Sequence, residues 1–231
     1  MSVKVCAVIL AAGSGSRMQS ELTKQQMTIL GKTVLCHTLS AFNNSSDIDS
    51  IVVVCREDEM DFVNSQISNM DKVVSVVIGG KTRAESAFFG FSQIPSDSDF
   101  VAIHDSARCL ITEKMISAVV EDAKKYGAAT ASRIVTDTVK KVDENGFISA
   151  TENRNILRLM QTPQVFSTAI YRQAVSGVDL TDPALTDDNM LVERLGVKIF
   201  CTELPADNIK ITYSEDVSLA EHILKGRVNN E

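Results

Sequence analysis

Spare positive charge is what this sequence lacks most plainly: 23 Lys and Arg face 30 Asp and Glu, a formal net charge of -7. A protein that coats nucleic acid meets the phosphates with clustered cations, so that class is not expected, and any anionic ligand must be held by a local basic pocket. Long apolar runs are missing as well. No segment reaches the roughly 18 residues that cross a bilayer, and the apolar start at 3–10 is too short and has no basic leader or cleavage site. A membrane-spanning or secreted protein is therefore not expected. The five cysteines, Cys6, Cys36, Cys55, Cys109 and Cys201, contain no C-x-x-C pair and no histidine at ligand spacing. They read as reduced thiols of a cytoplasmic protein, with Cys6 and Cys55 in apolar strand runs and so in the core. Internal repeats, low-complexity tracts and Pro/Gly/Ser-rich linkers are also absent. With 231 residues, 44% of them hydrophobic and 23% charged, the simplest description is one soluble α/β domain over 1–231.

What is present begins with an apolar strand, Val5-Cys6-Ala7-Val8-Ile9-Leu10, running into Ala11-Ala12-Gly13-Ser14-Gly15-Ser16-Arg17-Met18, with Lys24 shortly after. Small residues let the backbone turn tightly and present several N–H donors, and Arg17 offers a planar fork for phosphate oxygens. The stretch reads as a polyphosphate cradle. It is not the dinucleotide fingerprint G-x-G-x-x-G, because Met18 stands at the third glycine. Nor is there a P-loop: Gly31-Lys32-Thr33 and Gly80-Lys81-Thr82 have Gln26 and Ser75 where the first glycine is required.

Further along, helical spacing predicts a helix over 33–42, and apolar runs predict strands at 51–55, 73–78 and 100–104, with a short helix over 57–65. The third strand ends at Gly79-Gly80, at the sheet edge where open α/β proteins bind ligands, so this loop can line the same pocket as Gly13, its competing reading being a simple strand-to-helix turn. Arg83 and Ser86, three apart on the next helix, face one way and can add donors. The fourth strand delivers His104, Asp105 and Arg108. Asp105 suits Mg²⁺, and its competing reading is a local ion pair with Arg108, while His104 reads as a packed strand-end residue. A capped helix follows at 112–126, then a β-hairpin within 136–151 turning at Asp143-Glu144-Asn145-Gly146. Such an arm is marginal alone and is expected to pack on a partner subunit. A short strand at 161–166, a helix at 168–175, a helix start at Thr186-Asp187-Asp188, a strand at 198–201 and a helix at 214–224 complete the chain.

These pieces together resemble the 2-C-methyl-D-erythritol 4-phosphate cytidylyltransferase family, within the sugar nucleotidyltransferases. The matching residues are the 10–18 loop, Lys24-Gln25, Gly79-Gly80, His104-Asp105 with Arg108, Gln161-Thr162-Pro163-Gln164, Thr186-Asp187-Asp188 with Val192-Glu193, and Ala206-Asp207-Asn208-Ile209-Lys210. They span nearly the whole chain, and it is their order that is specific. The resemblance implies a Rossmann-like three-layer α/β/α nucleotidyltransferase fold, a mostly parallel sheet, and a protruding β-arm at about 136–160 used for dimerisation. It also implies transfer of a cytidylyl group from CTP to the polyol phosphate, with Mg²⁺ or another divalent cation, in the non-mevalonate route to isoprenoids.

Carried over by position, Arg17, Lys24 and Lys210 resemble the cations that hold the triphosphate and stabilise charge at the reacting phosphorus. Asp105 and Asp207 resemble the carboxylates around the metal and the polyol. Ala11, Ala12, Gly13, Gly80 and Ser86 match positions around cytosine and ribose. Arg154 resembles an arm arginine that reaches the polyol phosphate in a neighbouring subunit, with Thr138 of the same arm beside it, and Arg108, Thr162 and Thr186 match the same subpocket. The implied protein is a homodimer with composite sites. Departures from the family pattern are Thr23 and Cys109 in place of prolines, Gln26-Met27 in place of an aromatic, and Asn153 in place of an aspartate. Fewer prolines should leave the loops carrying Lys24 and Arg108 less fixed. The alternatives are a cytidylyltransferase for another polyol phosphate such as ribitol 5-phosphate, and a non-catalytic nucleotide-binding subunit.

Overall fold

In the computed structural model, which describes residues 3–13 and 23–228, the first strand β1 (Val5–Leu10) is buried along its whole length. A strand apolar on both faces has to be covered on both, which places it inside a sheet between two helical layers. Its alternating side chains belong to two cores, Val5, Ala7 and Ile9 to one and Cys6, Val8 and Leu10 to the other. The chain continues through a small hairpin, β2 (Thr28–Ile29) and β3 (Lys32–Thr33), into α1 (Val34–Asn44), β4 (Ser50–Cys55), α2 (Met60–Ile67), β5 (Val73–Ile78), α3 (Arg83–Phe91), β6 (Phe100–Asp105) and α4 (Glu113–Tyr126). Then come β7 (Ala128–Ile134), β8 (Lys140–Val142), β9 (Ile148–Thr151), β10 (Arg158–Ser167), α5 (Thr168–Val175), α6 (Asn189–Glu193), β11 (Phe200–Glu203) and α7 (Glu215–Val228).

The main sheet has seven strands in the order β11-β7-β10-β6-β1-β4-β5. Only β10 runs against its neighbours; the other pairings are parallel. Helices α1, α2 and α4 pack on one face and α3, α5 and α6 on the other, the expected α/β/α layering. Local chemistry sets the helix ends. Thr33 and Thr112 accept the N–H of Cys36 and Met115, Thr82 and Glu85 form a reciprocal capping box, and Gly127 closes α4 with a positive φ of 84°. Helix α3 lies so close to the sheet that a Cβ on Gly90 would overlap the side chains of Val8 and Val54.

Four features depart from the expected pattern. Residues 128–134, to which the sequence assigns no element, form the buried strand β7, because burial between two neighbours overrides the weak β propensity of its alanines. The strand expected at 161–166 is the second half of a ten-residue antiparallel strand whose register shifts between Met160 and Gln164, beside Pro163, which cannot donate to the ladder. The last strand is displaced to Phe200–Glu203, and the closing helix extends beyond 224. The β8–β9 hairpin is present, with Gly146 at φ 87° in its turn. Its strands are solvent-exposed throughout, and Phe147 and Ile156 are 73% and 78% exposed.

Candidate active site

Strands β1, β4, β5 and β6 end at the same level, with Leu10 opposite both Val54 and Asp105, and Cys55 opposite Ile78. The segments that leave these ends surround a cavity of about 660 Å³. Ala12 and Gly13 line it after β1, Arg56 after β4, Gly80 after β5, and Asp105 closes β6. Of the two readings of the Gly79-Gly80 loop, the one that puts it in the same pocket as Gly13 is what the structure shows. Among the described residues, five cations (Lys24, Arg56, Lys81, Arg83 and Lys210) line the cavity against one carboxylate, Asp105. An acidic chain has gathered a cationic pocket at one sheet edge, and such a pocket selects a multiply charged anion.

Asp105 is the centre of this charge. Its Oδ1 accepts from Arg83 Nε at 3.1 Å and its Oδ2 from Lys210 Nζ at 2.7 Å. Burial opposes ionisation, but the charges of Arg83 and Lys210 prevail and hold the carboxyl well below the usual range. The competing reading of a local Asp105–Arg108 pair is not what forms. Arg108 donates instead to the carbonyls of Asn208 and Met160. Lys210 owes its place to two anchors: Asn208 Nδ2 donates to Gln161 Oε1 and the Thr162 carbonyl, and the Ile211 amide donates to Ala107.

His104 is fully buried against Phe42, as a packing residue. A carbonyl can only accept, so Nε2 donates to Arg108 O, Nδ1 accepts from the Thr162 hydroxyl, and that hydroxyl accepts the Asp105 amide. Burial pushes the imidazole down to about 3 from 6.5, so the folded state holds it neutral. Its stabilising contribution is thus complete above pH 6.5 and is lost as pH falls from there toward about 3. An NMR titration should find the His104 ring resonances unmoved between about pH 8 and about pH 5; a midpoint inside that range would contradict the arrangement.

The small residues act by close approach. A Cβ on Gly79 would lie 2.6 Å from Ala12 Cβ and 2.8 Å from Ser86 Oγ, so the glycine lets the β5 loop close onto the β1 loop. Ser86 lines the cavity, and its hydroxyl accepts the Gly80 amide at 3.1 Å and donates to Thr82 O. Ala11, by contrast, is buried behind the cavity with its amide on Val54 O. Thr23, which stands in place of a proline before Lys24, is tethered otherwise: its amide donates to Gln26 Oε1, and its hydroxyl to the buried carboxylate of Glu59. Cys109 is likewise buried, packed with Ile29, Val34 and Leu110. The two positions that lack a proline, Thr23 and Cys109, are thus themselves fixed by hydrogen bonds and packing.

Other expected site residues lie elsewhere. Arg17 is outside the described residues. Thr162 is engaged with His104 and Asp105, and Thr186 is exposed with its hydroxyl on Met190 Sδ; neither lines the cavity, nor does Arg108. Asp207, expected beside Asp105 at the metal, lies apart from it here: its Oδ2 is bound by Arg227 Nη2 at 2.6 Å, its Oδ1 has no hydrogen-bond partner among the described residues, and it does not border the cavity. The cause is the longer closing helix, which delivers a guanidinium that sequence periodicity had not reached. Arg154 and Thr138 are on the arm. Arg154 donates to Thr136 O and lines, with Arg158, a separate cavity of about 400 Å³, while Thr138 is exposed. Asn153 uses its side chain to cap the short turn at Arg154–Ile156. Missing from the sequence expectation were Arg56 and Lys81, although each follows a strand end.

The model of the 2-C-methyl-D-erythritol 4-phosphate cytidylyltransferase family matches residues 5–226. The chain belongs to that family. Proteins of that name from Clostridium perfringens strain SM101 and Clostridium botulinum strain 657 are each 38% identical over 224 residues, covering 96% of this chain and 99% and 98% of theirs. Among solved structures, 4-diphosphocytidyl-2C-methyl-D-erythritol synthase from Anaerococcus prevotii superposes with a TM-score of 0.84 at 28% identity, over 96% of each chain. A 2-C-methyl-D-erythritol 4-phosphate cytidylyltransferase from Thermus thermophilus gives 0.76 at 28% identity, over 97% of this chain and all of that one. Family and fold thus coincide with the cationic cavity. No helix among the described residues is long and apolar enough to cross a membrane.

Proposed function

We propose that the protein transfers the cytidylyl group of CTP to 2-C-methyl-D-erythritol 4-phosphate, giving 4-diphosphocytidyl-2-C-methyl-D-erythritol and pyrophosphate, for isoprenoid synthesis in the cytoplasm. The observation that carries the reading is the cavity of five cations and one carboxylate in a chain of this family. A phosphate oxygen of the polyol forms a bond to the α-phosphorus while the bond from that phosphorus to the bridging oxygen of the β-phosphate breaks. Two anions must approach, so positioning and neutralisation are the main tasks. Lys24 and Lys210, with Arg17 from the same loop region, hold the triphosphate, and Lys210 meets the charge that grows on the α-phosphoryl oxygens. Ala12, Gly13, Gly80 and Ser86 leave room for the cytosine and ribose.

The donor set fits a divalent cation only in part. Magnesium commonly reaches proteins through one or two carboxylates plus substrate phosphates, and Asp105 is a cavity carboxylate of that kind, whereas Asp207 pairs through Oδ2 with Arg227 and lies outside the cavity. Bound by Asp105 and the triphosphate, the cation would supply further neutralisation of the leaving pyrophosphate. The second substrate's phosphate is held by Arg154 of a neighbouring subunit's arm, with Thr138 near its hydroxyls and Arg108, Thr162 and Thr186 in the same subpocket. The exposed Phe147, Ile148 and Ile156 favour such a dimer, since a two-stranded arm with this much bare apolar surface needs a partner.

The test is pyrophosphate release from CTP and Mg²⁺ with 2-C-methyl-D-erythritol 4-phosphate, run beside ribitol 5-phosphate. Release with the first substrate well above the second is expected. Preference for ribitol 5-phosphate would replace the substrate, and no release above blank with either would overturn the reading.

A further inference from the structure

Behind the cavity lies a carboxylate that the reaction does not touch. Asp188, just before α6, is fully buried. Its Oδ2 accepts from Arg83 Nη1 at 2.5 Å and its Oδ1 from the Tyr171 hydroxyl at 2.6 Å. Its amide donates to Gln164 Oε1 at 2.9 Å, and Gln164 Nε2 donates to Asp187 Oδ2, so β10 grips the turn that carries it. Tyr171 is itself fixed, edge-on to Phe91 and stacked on Phe166. Burial and the adjacent Asp188 charge raise its phenol well above the ordinary value, which keeps it a donor. A buried charge is tolerated only when paired and hydrogen-bonded, and here each carboxylate oxygen has its own donor.

The consequence reaches the cavity through Arg83, whose guanidinium bridges Asp188 and Asp105. The two cations on Asp105 are therefore unequal. Arg83 is clamped at two carboxylates, whereas the Lys210 side chain is 43% exposed and holds Asp105 through Nζ. The geometry points to Asp188 and Tyr171 as positioning residues: they lock Arg83, so that Asp105 keeps one fixed partner and one exchangeable partner, Lys210, which is released to an arriving phosphate. This deepens the proposed cytidylyl transfer and rests on it for the identity of the nucleotide.

Charge bookkeeping separates this role from simple packing. In Asp188→Asn, Arg83 loses one of its two buried counter-charges. Its uncompensated charge then makes the cavity more attractive to a triphosphate, while it neutralises Asp105 more completely and weakens that carboxylate toward a cation. Calorimetry should therefore find that Asp188→Asn binds CTP without metal at least as tightly as the parent. Manganese titration of the CTP complex, followed by electron paramagnetic resonance, should show roughly 10-fold weaker metal binding, the scale of loss seen when a group orienting a metal ligand is removed. Tyr171→Phe, which keeps the ring packing, should weaken manganese binding in the same direction by a smaller factor. Weaker CTP binding with unchanged manganese affinity, or parental behaviour in both, would overturn the proposal. If Asp188→Asn does not fold, Tyr171→Phe decides. The binding readouts do not depend on turnover, so failure of the pyrophosphate assay with the parent chain would count against the reaction and not against this arrangement.

Discussion

Replacing Lys210 with alanine should lower turnover by a factor of about 10² or more, the usual loss when a donor to a charge-developing transition state is removed. That corresponds to roughly 2.7 kcal/mol of barrier. The fold should tolerate the change, because the side chain is half-exposed and its ion pair with Asp105 is replaced by the remaining one with Arg83. The two kinetic constants should separate. Lys24, Arg56, Lys81 and Arg83 still line the cavity, so CTP binding should fall less than turnover does. Steady-state pyrophosphate release, with thermal unfolding as the control for folding, makes the check. Unchanged turnover would remove Lys210 from the chemistry and leave it a surface counter-ion of Asp105.

How much of this was legible in the sequence depends on distance along the chain. Strand ends were legible because apolar runs stop abruptly at Gly13, Gly79 and Asp105, and parallel pairing with matched ends brings those stops to one edge. The same logic applied to Cys55-Arg56 would have found Arg56, but no glycine marks that end, and the acids following it read as a helix start. Strand β7 was not legible, since its three alanines disfavour a strand and its small residues show no alternation; burial between β10 and β11 makes it one. The clamp on Arg83 was hidden for another reason. Its members come from α3, β6, α5 and the turn before α6, and no local pattern joins Arg83 to a carboxylate 105 positions away. The loops that lost prolines teach the converse lesson. Sequence registered the absent ring at Thr23, whereas the compensating bond to Glu59 is a tertiary contact 36 positions distant.

Mixing two inactive variants should restore activity if the arm serves a neighbouring subunit. Lys24 borders the nucleotide cavity, while Arg154 of the same chain lines a different one at the base of the arm. If each site takes Lys24 from one chain and Arg154 from the other, Lys24→Ala and Arg154→Ala homodimers are both crippled at every site. A hybrid dimer concentrates both lesions in one site and leaves the other intact. Random pairing makes half the dimers hybrids, so a fully exchanged equal mixture should recover about a quarter of the parental activity per site. Native mass spectrometry would establish that hybrids form, and pyrophosphate release would report the rescue. Hybrids without rescue would mean that Lys24 and Arg154 act within one chain, which would require the arm to fold back toward its own cavity. The exposed Phe147 and Ile156 argue against that, because an arm serving its own chain would gain most by burying them there.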